Sequence, residues 1–129
     1  MLSNQSSKRI VKMDNRTMQS FKKLFMKMPS NLNQLVFYSG SSKYKVISNT
    51  SANKTLHKLL DEIGANRISV HGLRHTHASV LLYEGISVYY VSERLGHSTI
   101  ETTMNHYAHL IKELCEKDEQ QTIQVFESI

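Results

Sequence analysis

The sequence predicts a mainly α fold with a small β-hairpin or strand component, and three features of its 129 residues carry that expectation. Apolar side chains recur at helical spacing in six segments. Pro29, Gly64, Gly85 and Gly96 stand at the ends of most of them, where chain stops are common. Two short runs, KRIVKM at 8–13 and QLVFYS at 34–39, are apolar without that spacing and suit extended chain.

Taken in order, 8–13 reads as one arm of a hairpin whose partner would precede Met1. Asp14 or Asn15 caps a helix to about Met28, with Met18, Phe21, Leu24, Phe25 and Met28 on one face. After the extended run 34–39, a polar loop over 39–53 leads to a helix at about 52–63. Its stripe is Thr55, Leu56, Leu59, Leu60 and Ile63. A third helix runs from about Gly72 to Tyr83 and a fourth from Val88 to Arg94. A fifth starts at Ser98, with Glu101 three residues on, the spacing of a capping box, and reaches about His109. The sixth spans about 110–120 with Leu110, Ile111, Leu114 and Cys115 facing inward. The tail TIQVFESI is either a strand folded back or, over about 119–129, a segment that docks on a neighbouring protomer.

A chain of this length forms one domain with a real core. Residues 1–129 are expected to be a single, partial domain. No apolar run is long enough for a membrane span, and the start MLSNQSSKRIVKMD lacks the apolar stretch of a secretory signal. The expected partners therefore exclude the membrane, and the expected compartment is the cytoplasm. One cysteine, Cys115, forms no internal disulfide and is expected to pack. The first 60 residues hold 11 of the 16 Lys and Arg but a single acid, Asp14, a balance of +10. The remainder holds five bases and ten acids, a balance of −5. That split suits a polyanion met by one half of the chain, although a solvated lysine-rich face gives the same numbers.

HGLRHTHA, residues 71–78, sets three of the seven histidines around one arginine. A metal site would use His71 and His75, which are i, i+4. But His77 points elsewhere, no acid lies between 63 and 83, and Arg74 would repel the cation. Phosphate uses the spacing better. His71 and Arg74, i, i+3 at a helix start, converge on one anion together with free backbone N–H groups, and a guanidinium fork matches two phosphate oxygens. Each residue also has a plain structural reading: an arginine satisfied by carbonyls, a capping histidine, and a core aromatic at Tyr107 on the stripe Ile100, Met104, Tyr107.

Together, His71-Gly72-Leu73-Arg74, then Leu95-Gly96-His97, then Tyr107 ten residues later resemble the C-terminal half of the catalytic domain of tyrosine recombinases, the phage-type integrase family. SSKRIVKMD and GISVYYVSERLGHSTIETT are similar to it as well. The resemblance implies the recombinase catalytic-domain fold, truncated at its N-terminus. It implies site-specific DNA recombination and integration, in which Arg74, His71 and His97 hold the scissile phosphate while Tyr107 attacks it. The product is a 3′-phosphotyrosine link, and no cofactor or metal is called for. Fixed cations aimed at oxygens that gain charge lower such a barrier, and a phenol leaves more readily than an alkoxide when a DNA 5′-hydroxyl reseals the strand.

The implied partners are double-stranded DNA at attachment sites and other copies of the recombinase in a synaptic assembly. The implied setting is a bacterial host, with the nucleoid. The match breaks in two places. The family's earlier arginine has no counterpart, and the place of its general-acid lysine falls near Ser3, with Lys8 a substitute only in another register. With DNA-clamping domains also missing, the chain by itself is expected to be impaired or inactive. The alternative is a non-catalytic helix-turn-helix DNA-binding module over 88–107, reading bases with Thr99, Thr102 and Thr103. A third class, an interaction protein built on the apolar tail, predicts no DNA affinity.

Overall fold

The computed structural model describes residues 8–129, which form six helices: α1 Asn15–Lys27, α2 Asn49–Glu62, α3 Val70–Tyr83, α4 Val88–Leu95, α5 Ile100–His106 and α6 Ala108–Glu127. No strand occurs among them. The expected β component reduces to one antiparallel bridge between Tyr38 and Val46. Residues 8–13 are irregular, and 34–39 are irregular or turn apart from the bridge residue Tyr38, because a strand needs a ladder and among the described residues nothing beyond that bridge supplies one.

The chain divides into two compact units, one of Val11–Gly72 and one of Leu73–Ile129 with residues 8–10. In the first, Asp14 caps α1 by accepting from the Thr17 N–H at 3.0 Å, and Ser48 caps α2 through the Ser51 N–H at 3.1 Å. These short polar side chains satisfy donors that the first helical turn leaves without a carbonyl. Neither helix buries a residue fully. The predicted stripe of α1 is only half covered: the Phe21 ring lies 6.4 Å from both Phe25 and Phe37, while Phe25 and Met18 are exposed.

The second unit holds the core. Ala78 and Leu82 of α3, Val91 and Leu95 of α4, and Tyr107 between α5 and α6 are buried together, with Leu81, Val88, Leu110, Ile111 and Leu114 packed around them. The i, i+4 pairs 78/82 and 91/95 show why α3 and α4 are helices here, since each turns one stripe inward. Full burial of Val91 alone stabilises by about 1.5–3 kcal/mol. Ser87 caps α4 through the Tyr90 N–H at 3.2 Å, and Gly96 ends it with φ 75°. A Cβ there would crowd the preceding carbonyl, so glycine is the natural residue.

Three expectations change at the C-terminal end. The cap of α5 is Thr99 rather than Ser98, and Thr99 makes no side-chain bond to the helix N–H groups. Its hydroxyl instead faces the carboxylate of Glu101, which also takes its own backbone N–H, so the expected capping box is not formed. The tail 119–129 is neither a strand nor separate, because α6 runs on to Glu127. Cys115 is exposed, since α6 outgrows the core and only Leu110, Ile111 and Leu114 reach it. Among the described residues no helix is long and apolar enough to cross a membrane.

Candidate active site

The chemistry-bearing residues of the second unit gather where α4 ends and where α5 meets α6. The last carbonyls of a helix lack partners inside it and carry the negative end of its dipole, which favours cations. Here two arginines use them. Arg74 donates from Nη2 to the Leu95 carbonyl at 2.7 Å, and Arg9 donates from Nε to the Arg94 carbonyl at 2.8 Å. The bond to Leu95 fixes the plane of the Arg74 guanidinium, which has five N–H donors in all.

His97 follows Gly96 directly. Its Nδ1 lies 2.6 Å from Oγ1 of Thr103, a fully buried side chain, so the imidazole is tied to a rigid point. His106 donates from Nδ1 to the Thr102 carbonyl at 2.7 Å and stacks between two other imidazoles. Its ring centroid is 6.2 Å from that of His75 and 6.0 Å from that of His97, with interplanar angles of 25° and 28°. Tyr107 closes the row. Its ring lies 5.9 Å from His75 and 6.5 Å from His106, and its hydroxyl shares a hydrogen bond of 3.0 Å with His75 Nδ1. Tyr107 ends α5 and precedes the first residue of α6, so its backbone sits at the joint between them.

Burial lowers the His97 pKa below its ordinary value of 6.5, and the Arg74 charge pushes it further, with smaller contributions from His106, Arg9 and His75. The ring is therefore neutral at pH 7. Burial raises the Tyr107 pKa above 10.0, against a partial pull downward from the Arg74 charge. Its phenol is protonated at neutral pH and is a nucleophile only once a base removes the proton.

The unit thus brings together three of the four residues singled out in the sequence, Arg74, His97 and Tyr107. His71 stands three residues before Arg74 in the first turn of α3 and falls in the other compact unit. The free N–H groups expected beside it are partly taken. Asn53 Oδ1 accepts from the Val70 N–H at 2.7 Å, and Ser69 Oγ accepts from the Gly72 N–H at 3.0 Å. The plain readings hold a share as well, since Arg74 does satisfy a carbonyl and Tyr107 does pack in the core, 7% exposed. The inward face of α5 is Thr103 and Tyr107, whereas Met104 is 44% exposed. Burial of Thr103 also removes one of the three threonines that a base-reading helix would need outside.

Sequence reasoning did not nominate His75, His106, Arg9 or Thr103 for this site. His75 was considered only as a metal ligand, yet it directly follows Arg74, and His106 directly precedes Tyr107. Adjacency to both anchors was the signal available. Among the described residues no group of three or more His, Cys, Asp or Glu is placed to hold a metal ion.

The site is thus an arginine and a row of imidazoles beside one phenol, on a helical frame. The chain belongs to the phage integrase family, which it matches over residues 2–113. Transposase A from transposon Tn554 of Staphylococcus aureus is 55% identical over 40 residues, 31% of this chain and 11% of the transposase. A tyrosine recombinase XerC-like protein of Caldanaerobacter subterraneus is 43% identical over 58 residues, 45% of this chain and 15% of that protein. The ICEBs1 integrase of Bacillus subtilis is 37% identical over 54 residues, 39% of this chain and 15% of the integrase. The matched stretches thus span well under a quarter of the length of these curated relatives. No solved structure is significantly similar to the chain.

Proposed function

We propose that residues 1–129 are part of the catalytic domain of a site-specific tyrosine recombinase that breaks and rejoins double-stranded DNA through a 3′-phosphotyrosine intermediate. In this reading Tyr107 attacks the scissile phosphate. Arg74 and His97, with His71 from the first turn of α3, neutralise and hydrogen-bond the non-bridging oxygens as charge builds on them. Family membership supports the reading, as do the names of the relatives. The observation that carries it is the Tyr107 hydroxyl itself, held by an imidazole at 3.0 Å and within the field of Arg74.

The proposed partners are attachment-site DNA and further copies of the recombinase. Docking between copies would use the 119–129 segment, where Ile123, Val125 and Phe126 are exposed on the outer half of α6. The proposed setting is the bacterial cytoplasm, with the nucleoid. The test is covalent capture on a nicked duplex, with the chain joined behind the upstream catalytic half of a curated relative, which supplies the earlier arginine. A protein–DNA adduct on a denaturing gel that disappears in Tyr107→Phe is expected. An adduct that survives that substitution would refute the assignment.

A further inference from the structure

We infer that His75 is the group that holds the Tyr107 hydroxyl and takes up its proton as the phenol attacks, an inference that rests on the recombinase reading above. Three observations lead to it. The phenol is protonated at neutral pH, because burial raises its pKa, so attack needs a proton acceptor at the oxygen. The side-chain nitrogen recorded in hydrogen-bond contact with that oxygen is His75 Nδ1, at 3.0 Å. His97 does not play this part, because its Nδ1 is engaged with Thr103 at 2.6 Å.

The geometry is fixed from both sides. His75 lies in α3, within one turn of the buried Ala78 and about two turns from Leu82, and its ring stacks on His106 at 6.2 Å. The phenol is clamped by the core around it. The charged and titratable groups around His75 are Arg74 on its own helix, His97 after α4, His106 and Tyr107 at the α5–α6 joint, and Arg9 beyond His97.

The step balances as follows. Neutral His75, carrying its proton on Nε2, accepts the phenol hydrogen on Nδ1. The Tyr107 oxygen forms its bond to phosphorus, the bond from phosphorus to the 5′-oxygen breaks, and that oxygen takes a proton from water. On resealing, the 5′-hydroxyl gives its proton back to the hydroxide left from water as its oxygen bonds to phosphorus and the bond from phosphorus to the Tyr107 oxygen breaks, and the imidazolium of His75 returns its own proton to the departing phenolate. Base assistance of this kind is commonly worth about 10²–10⁴ in rate.

Two measurements test the inference. In the chain alone, nitrogen NMR of the histidine rings should show the His75 Nδ1 resonance and its titration midpoint moving in Tyr107→Phe. An unmoved resonance overturns the contact. In the joined protein on nicked duplex, His75→Ala should slow adduct formation about 100-fold. His75→Asn keeps a hydrogen-bonding group but takes up no proton, so it should recover positioning in part while its rate loses the rise with pH that a proton-accepting base imposes. Equal rates and equal pH profiles in the parent and His75→Asn, with Tyr107→Phe dead, overturn the role of His75 and leave the recombinase reading standing. An adduct that persists in Tyr107→Phe removes both. Circular dichroism of each variant separates loss of fold from loss of chemistry.

Discussion

Thr103→Val isolates the contact that aims His97. Valine replaces the hydroxyl with a methyl of nearly the same size, so a side chain with no exposed surface keeps its volume and no cavity opens. What is lost is the 2.6 Å hydrogen bond to His97 Nδ1. A hydrogen bond contributes about 0.5–1.5 kcal/mol net, and leaving a buried partner unsatisfied costs about 1–3 kcal/mol. The His97 ring is half-buried and regains some water when released, which places the expected loss near the low end, at about 1 kcal/mol. For a chain of this size that is a fall of about 4 °C in Tm. Thr103→Ala removes the same bond and a methyl group as well, adding about 1 kcal/mol for lost burial. Urea unfolding followed by circular dichroism reads both numbers, and carbon NMR of the His97 ring reports its release. If Thr103→Val proves as stable as the parent while the His97 resonance stays in place, the hydroxyl does not hold the imidazole and the account of how the site is aimed is wrong.

Stability should be flat from about pH 6.5 to 10 and fall on either side. His97 and His77 are both held below 6.5, each chiefly by burial and then by a neighbouring arginine, Arg74 or Arg94. The unfolded chain therefore binds more protons as pH drops through 6.5, and stability declines below it. Tyr107 is raised above 10.0, so its contribution is complete below pH 10 and disappears as pH rises through the folded value. Tm measured across pH 4–11 checks both limbs, and Tyr107→Phe should remove part of the alkaline one. Phe126→Ser, at a side chain 72% exposed, should leave monomer stability within about 0.5 kcal/mol but lower the mass seen by light scattering, and an unchanged mass would argue against docking through the tail. Binding to random duplex DNA should be weak and salt-sensitive, losing about 100-fold between 50 and 200 mM salt if about four phosphates are contacted. Fluorescence anisotropy that stays constant over that range would place the affinity elsewhere than in the basic first half.

The parts of the fold visible in sequence were those written in local chemistry. Asp14 and Gly96 mark helix ends, one by capping and one by left-handed backbone, and each stands where a helix starts or stops. The misjudged parts depend on distant partners. TIQVF is β-branched and strand-like by itself, yet it follows directly on a helix and continues it. KRIVKM suits a strand but meets no ladder among the described residues. The same division runs through the site. Arg74, His97 and Tyr107, the candidates that the fold brings together, are nominated by motif spacing. Thr103 was not, because a threonine on a helix betrays its burial only when the helix is packed, and the bond between His75 and Tyr107 joins residues 32 positions apart.

The reversal at Gly96 has a consequence for anyone altering this protein. The residue before it offers the carbonyl that fixes the Arg74 guanidinium, and the residue after it is His97 itself. One peptide bend thus orients two tools, and neither can be retuned separately. Substitutions at 95, 96 and 97 should combine non-additively with changes at 74, and a library that samples these sites one at a time will miss whatever working combinations exist.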